Sequence, residues 1–334
     1  MMKFNKGEWS ELFVVACIFN DSKIKIADSS NYLKVIKVYF NNKNSSYIIS
    51  DKDITTDKEK TYALYTKQEV ISFLSELSES RGASFSLAKG NEFIQKYDIP
   101  TVKEAKNKGD IDTNTLFPNK SEGRDVNFSI KSFVGNPPTL LNSSQATNFT
   151  FEIQSFTGDI EKINAISSRS KIKNRLAEIR NCSEGIEIAV VDDKVFHENL
   201  LKIDTRFLEM LSPMLLNFYS SKWTTVKDLV EHTENRAFGK DIIELNMKRF
   251  LRAFALGMKP KEPWSGDNVT GGSILVKKTG ELLVHTLYDM DKFEGFLYGN
   301  CKLDTPSSTK HKFGEVYACN GKHYIKLNLQ IRFK

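Results

Sequence analysis

The chain lacks the cysteine and histidine spacings of a metal-binding or disulfide-stabilised protein. Its four cysteines lie far apart in 334 residues and never form a Cys-x-x-Cys pair. This excludes a zinc ribbon and a dense disulfide framework, and it predicts a reducing, cytoplasmic location. The five histidines show no His-x-x-His or His-x-x-x-His spacing, and a lone His285 in an apolar stretch is typical of a packed core residue. Zinc chemistry is therefore not indicated.

Long hydrophobic runs, internal repeats and low-complexity linkers are also absent. The longest strongly apolar run, residues 12–19, is far shorter than the roughly 20 residues of a membrane-spanning helix. The residues around Glu8 and Glu11 are polar and acidic rather than basic, so neither a membrane span nor a secretion signal is predicted. With 40% hydrophobic and 11% aromatic residues, the chain can bury one large core or two smaller ones.

Positive charge is concentrated in two segments. The net charge of +6, from 48 basic and 42 acidic residues, is modest. Residues 161–180 hold six Lys or Arg against two Glu, and residues 302–334 hold seven against one Asp and one Glu. Such segments favour contact with a polyanion such as a nucleic acid, although solvated helix and strand faces have the same composition.

The hydrophobic periodicity predicts a mixed α/β protein. Residues 5–8 have the pattern of a capping box and should begin an amphipathic helix. Further helices are predicted at 67–80, from Asn91, at 161–180, at 204–219 with an interruption near Pro213, and at 241–256. Strands are predicted at 32–40, 46–49, 61–65, 125–131, 148–154 and 186–191, and hairpins at 274–287 and 317–333. The C-terminal third is therefore expected to be rich in strands.

Asp110 and residues 129–131 are arranged as phosphodiester hydrolysis requires. That reaction needs a nucleophilic water, neutralisation of developing negative charge and a stabilised leaving oxygen, tasks that a hard divalent cation and a lysine share. Mg²⁺ prefers oxygen ligands, few of them from the protein. In the predicted strand 125–131, Ser129 and Lys131 fall on one face, and the polar turn at 118–123 lets this strand pair with one that follows Asp110. The sequence therefore predicts a Mg²⁺ site around Asp110 and Lys131.

Six segments, two of which contain Asp110 and residues 129–131, carry a family resemblance. They are Lys6-Gly-Glu-Trp-Ser-Glu11, Gly109-Asp-Ile111, Asn127-Phe-Ser-Ile-Lys-Ser132, Gly135-Asn-Pro-Pro-Thr-Leu-Leu-Asn-Ser-Ser144, His311-Lys-Phe-Gly314 and Lys326-Leu-Asn-Leu-Gln-Ile-Arg-Phe333. In this order and combination they resemble the PD-(D/E)xK nucleases and, within them, the restriction endonucleases of the HpaII type.

The resemblance implies a restriction-endonuclease-like core, with a central mixed β-sheet flanked by helices and a strand-rich C-terminal region. It implies a type II endonuclease that cuts both strands of a short duplex DNA site, CCGG in the HpaII type, with Mg²⁺ as cofactor and a cognate DNA methyltransferase as cellular partner. Two cuts in a symmetric site usually call for two active sites, so a homodimer is plausible. One domain is expected over 1–334, with the catalytic core in 1–160 and mainly DNA-binding and supporting elements in 161–334.

Ser129 stands where these nucleases usually have Asp or Glu. A hydroxyl is a poorer ligand for a hard cation, so a second carboxylate has to come from elsewhere. Glu11 is the first candidate, since nucleases of this broad fold often bring an acid from a preceding helix, although an early helical glutamate also favours the helix dipole. Glu152 is the second. The expected catalytic residues are Asp110, Lys131, Ser129 and Glu11, and the expected metal ligands are Asp110, Glu11, Glu152 and Ile130.

Two polar stretches, 142–148 and 305–312, have the composition of DNA-contacting loops. Short polar side chains read base edges, and Lys, Arg and hydroxyls bind phosphates. Ordinary turns use the same residues. The expected DNA contacts are Asn142, Ser143, Ser144, Asn148, Ser307, Ser308, Lys310, His311 and Lys312.

Two other functions share these features. A non-cleaving DNA-binding protein of the same fold would explain the missing acid at Ser129. A nuclease that acts on mismatched DNA or on RNA would keep the catalytic site and differ in its substrate.

Overall fold

Helices and strands alternate along the chain in the computed structural model, which describes residues 1–40, 43–100 and 109–334. The helices are α1 (Lys6–Asn20), α2 (Lys67–Glu79), α3 (Ala88–Lys96), α4 (Ile160–Asn164), α5 (Lys171–Asn181), α6 (Lys194–Leu201), α7 (Phe207–Ser220), α8 (Val226–His232), α9 (Lys240–Ala255), α10 (Met290–Asn300) and α11 (Ser308–His311). The strands are β1 (Lys23–Ile26), β2 (Tyr32–Phe40), β3 (Ser45–Ile49), β4 (Asp53–Thr56), β5 (Thr61–Ala63), β6 (Ile111–Leu116), β7 (Arg124–Ser132), β8 (Thr139–Leu141), β9 (Asn148–Gln154), β10 (Gly185–Val191), β11 (Gly272–Val276), β12 (Leu282–Thr286), β13 (Cys301–Leu303), β14 (Val316–Cys319), β15 (Lys322–Asn328) and β16 (Ile331–Phe333). The prediction of a mixed α/β chain is confirmed.

The described residues cluster into two compact units. The first unit contains Met1–Pro138, Ala255–Gly257 and Asp267–Phe293, and the second contains Thr139–Phe254, Met258–Gly266 and Glu294–Lys334. The expected single domain, with a catalytic core at 1–160 and a DNA-binding part at 161–334, stays a prediction. None of the helices in the described ranges is both long and apolar enough to cross a membrane.

Helix α1 begins at the predicted capping box. The side chain of Asn5 accepts a hydrogen bond from the Glu8 N–H (3.0 Å), and the Glu8 carboxylate accepts one from the Asn5 N–H (2.8 Å). Trp9 and Phe13 are fully buried, and the Trp9 indole N–H donates to the Phe85 carbonyl at 3.0 Å. The helix packs against α2, α3 and β7, so it lies against the strand that carries Ser129 and Lys131.

Six strands of the first unit close into a ring. Its nine-stranded sheet has the order β1-β12-β11-β7-β6-β2-β3-β4-β5, and β1 also pairs with β2. β1 is parallel to β12 and β7 is parallel to β11, while the other neighbours within the ring are antiparallel. The predicted central mixed sheet is present, but its closure was not predicted, because the four-residue strand β1 was missed.

The second unit contains two smaller sheets and most of the helices. The sheets have the orders β10-β9-β15-β14 and β13-β16-β8. The predicted interruption at Pro213 is wrong, since α7 continues through it. Proline cannot donate to the carbonyl four residues earlier, and the Asn235 side-chain amide donates to that carbonyl, of Glu209, at 2.8 Å instead.

Two further predicted elements are each divided in the structure. The helix expected at 161–180 is two helices, α4 and α5, because Ser167, Ser168 and Ser170 lie between them and serine competes for backbone hydrogen bonds. The strand expected at 323–333 is divided into β15, which pairs with β9 and β14, and β16, which pairs with β13 and β8. His285 is buried, as predicted, at 6% exposure.

A glycine-to-alanine change in α3 is expected to destabilise the fold. An added Cβ at Gly90 would lie 2.3 Å from Cζ3 of the buried Trp9, so Gly90→Ala should lower the free energy of unfolding by roughly 2 kcal/mol. Gly295 lies in α10 with nothing within 4 Å of the added Cβ. Gly295→Ala should therefore raise stability by up to about 1 kcal/mol. Urea denaturation measures both, and a stabilised Gly90→Ala variant would contradict the packing described.

Candidate active site

Asp110 immediately precedes β6 and is held in place by hydrogen bonds to the neighbouring strand β7. Its backbone N–H donates to the Phe128 carbonyl at 2.9 Å, and its carboxylate oxygen Oδ2 accepts from the Ile130 N–H at 2.6 Å. The antiparallel register pairs Ile111 with Phe128, which puts Asp110 next to Ser129 across the two strands. The predicted juxtaposition of Asp110 with residues 129–131 is therefore present.

Ser129 is buried, with 5% exposure, and its hydroxyl donates to the Ser273 hydroxyl on β11 at 2.9 Å. The parallel pairing of β7 and β11 sets these two residues opposite each other. The side chain of Ser129 is therefore buried between β7 and β11. Lys131, two residues later, is half-buried and follows the same face of β7.

Glu11 of α1 lies near Asp110 and Lys131. Burial, and to a smaller extent the nearby Asp110 and Glu8 carboxylates, raise the pKa of its carboxyl group to about 8, against the opposing effect of Lys131. The packing of α1 on β7 is what brings an acid from residue 11 beside one from residue 110. The structure therefore gathers Glu11, Asp110 and Lys131 in the first unit.

The other two expected metal ligands, Ile130 and Glu152, add no further carboxylate to this cluster. Ile130 has no side-chain donor, and its N–H is already bound to Asp110, so only its backbone carbonyl oxygen could ligate a cation. Glu152 belongs to the second unit, where Lys322 forms an ion pair with it at 2.9 Å. Within the described ranges no group of three or more His, Cys, Asp or Glu side chains could hold a metal ion. The carboxylates gathered around Lys131 are oxygen donors, which suit a hard cation that keeps several waters.

Asn127 supports the cluster, a role that was not predicted from the sequence. Its side-chain oxygen accepts from the Thr270 N–H at 2.8 Å and hydroxyl at 3.0 Å, which fixes the start of the β11 segment. A Cβ added to Gly109 would lie 2.8 Å from Cβ of Asn127. Gly109 therefore permits the close approach of the chain that brings Asp110 to β7.

The expected DNA-contacting residues lie in the second unit, where the two stretches meet. The Ser143 hydroxyl lies 3.2 Å from Nε2 of His311, and the Asn148 amide donates to the His311 carbonyl at 2.9 Å. Asn148 and His311 are buried, at 2% and 8% exposure. Ser144 offers its carbonyl to the Asn328 amide at 2.7 Å. The members with exposed side chains are Asn142, Ser307, Lys310 and Lys312, while Ser308 is half-buried.

Known proteins resemble the chain over nearly its full length. The sequence model of a family described as HpaII restriction endonuclease matches residues 5–333. The chain is 36% identical to the type II restriction enzyme HpaII of Haemophilus parainfluenzae over an alignment that covers 98% of each protein. No solved structure matches the chain.

The raised pKa of Glu11 predicts a pH-dependent stability. Its folded pKa of about 8 lies above the ordinary value of 4.5, so between these values the folded protein holds a proton that the unfolded chain releases. The free energy of unfolding therefore falls as pH rises through this range. Glu11→Gln removes that loss, and its stability relative to the wild type should increase from about pH 5 to about pH 9.

Urea denaturation across this pH range measures the difference. Glu122→Gln changes an exposed turn glutamate of the same unit and should show no such trend. A Glu11→Gln difference that stays constant with pH would mean that Glu11 titrates at its ordinary pKa.

Proposed function

This chain belongs to the HpaII restriction endonuclease family and is a restriction endodeoxyribonuclease, and on that premise we propose that Glu11, Asp110 and Lys131 form its hydrolytic site. The observation that carries the proposal is the electrostatic contact of these three side chains, from α1 and from the paired strands β6 and β7. The first unit is then the restriction-endonuclease-like core. Its substrate is the phosphodiester bond of duplex DNA.

We propose Mg²⁺ as the cofactor, consistent with the general use of divalent ions by type II restriction endonucleases. The ligands would be the carboxylates of Asp110 and Glu11 and the carbonyl of Ile130. The raised pKa of Glu11 comes first from burial and then from repulsion by Asp110, and it supports this fit, because a dication between the two carboxylates would favour the ionised form of Glu11. When bound, Mg²⁺ supplies a more acidic water and neutralises phosphate charge.

Each side chain of the site then has a distinct task. The hydrogen bond from the Ile130 N–H fixes the orientation of the Asp110 carboxylate before the reaction begins. The Lys131 ammonium, beside Glu11, donates to the attacking water and stabilises the negative charge that develops on the phosphate. Ser129 keeps β7 in register through Ser273 and has no direct part in the chemistry. Glu11 thus replaces the acid that the family motif usually has at the serine position.

The finer features of the activity follow from the resemblance to HpaII-type enzymes. We propose cleavage of both strands of a CCGG site, with 5′ phosphates on the products. A symmetric site suits two copies of one active site, so a homodimer on DNA is proposed. In the cytoplasm of the cell, a cognate DNA methyltransferase would protect the same sites. The exposed residues Asn142, Ser307, Lys310 and Lys312 are the proposed DNA contacts.

Loss of either anchor of the site should abolish most cleavage. Asp110→Asn and Lys131→Met are each expected to slow single-turnover cleavage of plasmid DNA by at least about 100-fold, and EDTA should stop the wild-type reaction. Asp57→Asn and Lys120→Met change exposed residues of the same unit and should retain the wild-type rate. If both site variants kept rates within about tenfold, roughly 1.4 kcal/mol of barrier, the site assignment would be wrong.

The target sequence is testable without prior choice of substrate. Sequencing the ends of digested genomic DNA should give CCGG at every cut, with both strands broken. Another motif would overturn CCGG and leave the activity in place. No Mg²⁺-dependent cutting on duplex, mismatched and RNA substrates would instead favour a non-cleaving DNA-binding protein, which the few carboxylates in the site would explain.

A further inference from the structure

Residues 311–316 of the second unit are held in place by polar side chains from three other elements, those of the buried Asn148 and Arg175 and of the half-buried Asn164. Asn148 donates to the His311 carbonyl at 2.9 Å. Asn164 accepts from the Val316 N–H at 2.9 Å and donates to the Val316 carbonyl at 2.8 Å, so its amide acts like one residue of a paired strand. Arg175 donates to the Gly314 carbonyl. The backbone is therefore held by side chains at His311, Gly314 and Val316.

Arg175 is an unusual support because its charge is buried. It is 3% exposed, and its guanidinium also donates to the carbonyls of Asn164 and Ile166. No carboxylate pairs with it among the residues that the structure describes. A buried arginine on backbone carbonyls fixes their positions, because any displacement would leave a charge without partners. A Cβ at Gly314 would lie 2.9 Å from Ile172, so the segment lies directly against α5.

The fixed segment borders a concavity of about 450 Å³. Its polar lining comes from Ser308, Thr309, Lys312, Glu315, Tyr317 and Lys326. Lys326 is already paired with Asp192. Lys312 and Glu315 are exposed, and in the described part of the chain neither has an ion-pair partner. The concavity therefore offers one unpaired cation and one unpaired carboxylate on a rigid backbone.

This combination does not suit a phosphate group. A phosphate would gain from Lys312 and would be repelled by Glu315, so the two charges nearly cancel for an anion. Base edges, by contrast, present both signs of partner in the major groove. Cytosine offers its N4 amino group to a carboxylate, and guanine offers O6 and N7 to a lysine. An A·T pair also presents a donor and acceptors in this groove, but the proposed CCGG site contains only C·G pairs, so we take a C·G pair as the partner of these two side chains.

We propose that this concavity reads one C·G base pair, with Glu315 accepting a hydrogen bond from the cytosine amino group and Lys312 donating to guanine. Arg175, Asn164 and Asn148 are positioning residues that hold the backbone on either side of Lys312 and Glu315. The inference rests on the proposed function in that the second unit must contact the DNA site. It adds Glu315 to the residues that determine sequence specificity.

Base analogues test the Glu315 contact directly. Duplexes containing the site found by end sequencing are prepared with each cytosine in turn replaced by 2-pyrimidinone, which lacks the amino group. Binding is measured by fluorescence anisotropy with Ca²⁺ in place of Mg²⁺. At one position the analogue should weaken wild-type binding by roughly 10- to 100-fold, and it should have no effect on Glu315→Ala. The analogue also weakens base pairing within the duplex. This effect is the same for the wild type and for Glu315→Ala, so it cancels when their losses of affinity are compared.

A parallel arm tests Lys312. Replacing the guanine of the same pair by 7-deazaguanine removes N7, and the resulting loss of affinity should be smaller for Lys312→Met than for the wild type. Glu187→Ala, a change of another exposed glutamate in the second unit, should keep the full penalty of both analogues. Since Glu315 and Lys312 are exposed, neither substitution removes a buried contact.

The outcomes separate this inference from the proposed function. Equal analogue penalties in wild type and Glu315→Ala at every cytosine would overturn the base contact, even in an active nuclease. Tighter binding of Glu315→Ala to all sequences alike would indicate phosphate repulsion and would also overturn it. Specific binding with the predicted coupling but without cleavage in Mg²⁺ would leave the base contact standing and remove the proposed hydrolytic activity.

Discussion

The antiparallel pairing of β6 with β7 is the constraint on which the candidate active site depends. It brings the chain at Gly109 against Asn127, and it aims the Ile130 N–H at the Asp110 carboxylate. The parallel pairing of β7 with β11 then holds the other side of the strand, so β7 cannot slide. A one-residue slip would turn Lys131 to the opposite face of the sheet. Register, more than any single side chain, sets the geometry of the site.

The carboxylates of Glu11 and Asp110 repel each other in the same candidate active site. A helix carries Glu11 into a partly buried position beside a second carboxylate, and the raised pKa of Glu11 records the unfavourable free energy of that approach. Hydrophobic packing of Trp9 and Phe13 on the same helix outweighs this repulsion and keeps α1 on the sheet. Ionisable groups with strongly perturbed pKa values are concentrated at functional sites.

Local patterns predicted the elements of the site, but the contacts between distant segments could not be read from them. The strand at 125–131 and the capping box at Asn5 each follow from a few neighbouring residues, and both are present, although Ser129 on the predicted polar face is buried like Phe128 and Ile130. The proximity of Glu11 to Asp110, by contrast, depends on how α1 packs, and the ring closure depends on the four-residue strand β1. Pro213 misled the prediction because Asn235, 22 positions later, satisfies the carbonyl that proline leaves. Arg175 looked like part of a solvated basic surface, since burial leaves no local sign in the sequence.

The closed ring also affects when the first unit can form during synthesis. β1 needs β12 on one side, and β7 needs β11. Along the chain, about 255 residues separate β1 from β12 and about 140 separate β7 from β11. A ribosome has to reach Thr286 before the last strand of the ring exists. Until then, β1 and β7 each have one edge without a strand partner. Asp110 and Lys131 are synthesised earlier, but the strand β11 that holds β7 in place does not yet exist. The nascent chain therefore passes through most of its translation before its proposed hydrolytic centre can be assembled.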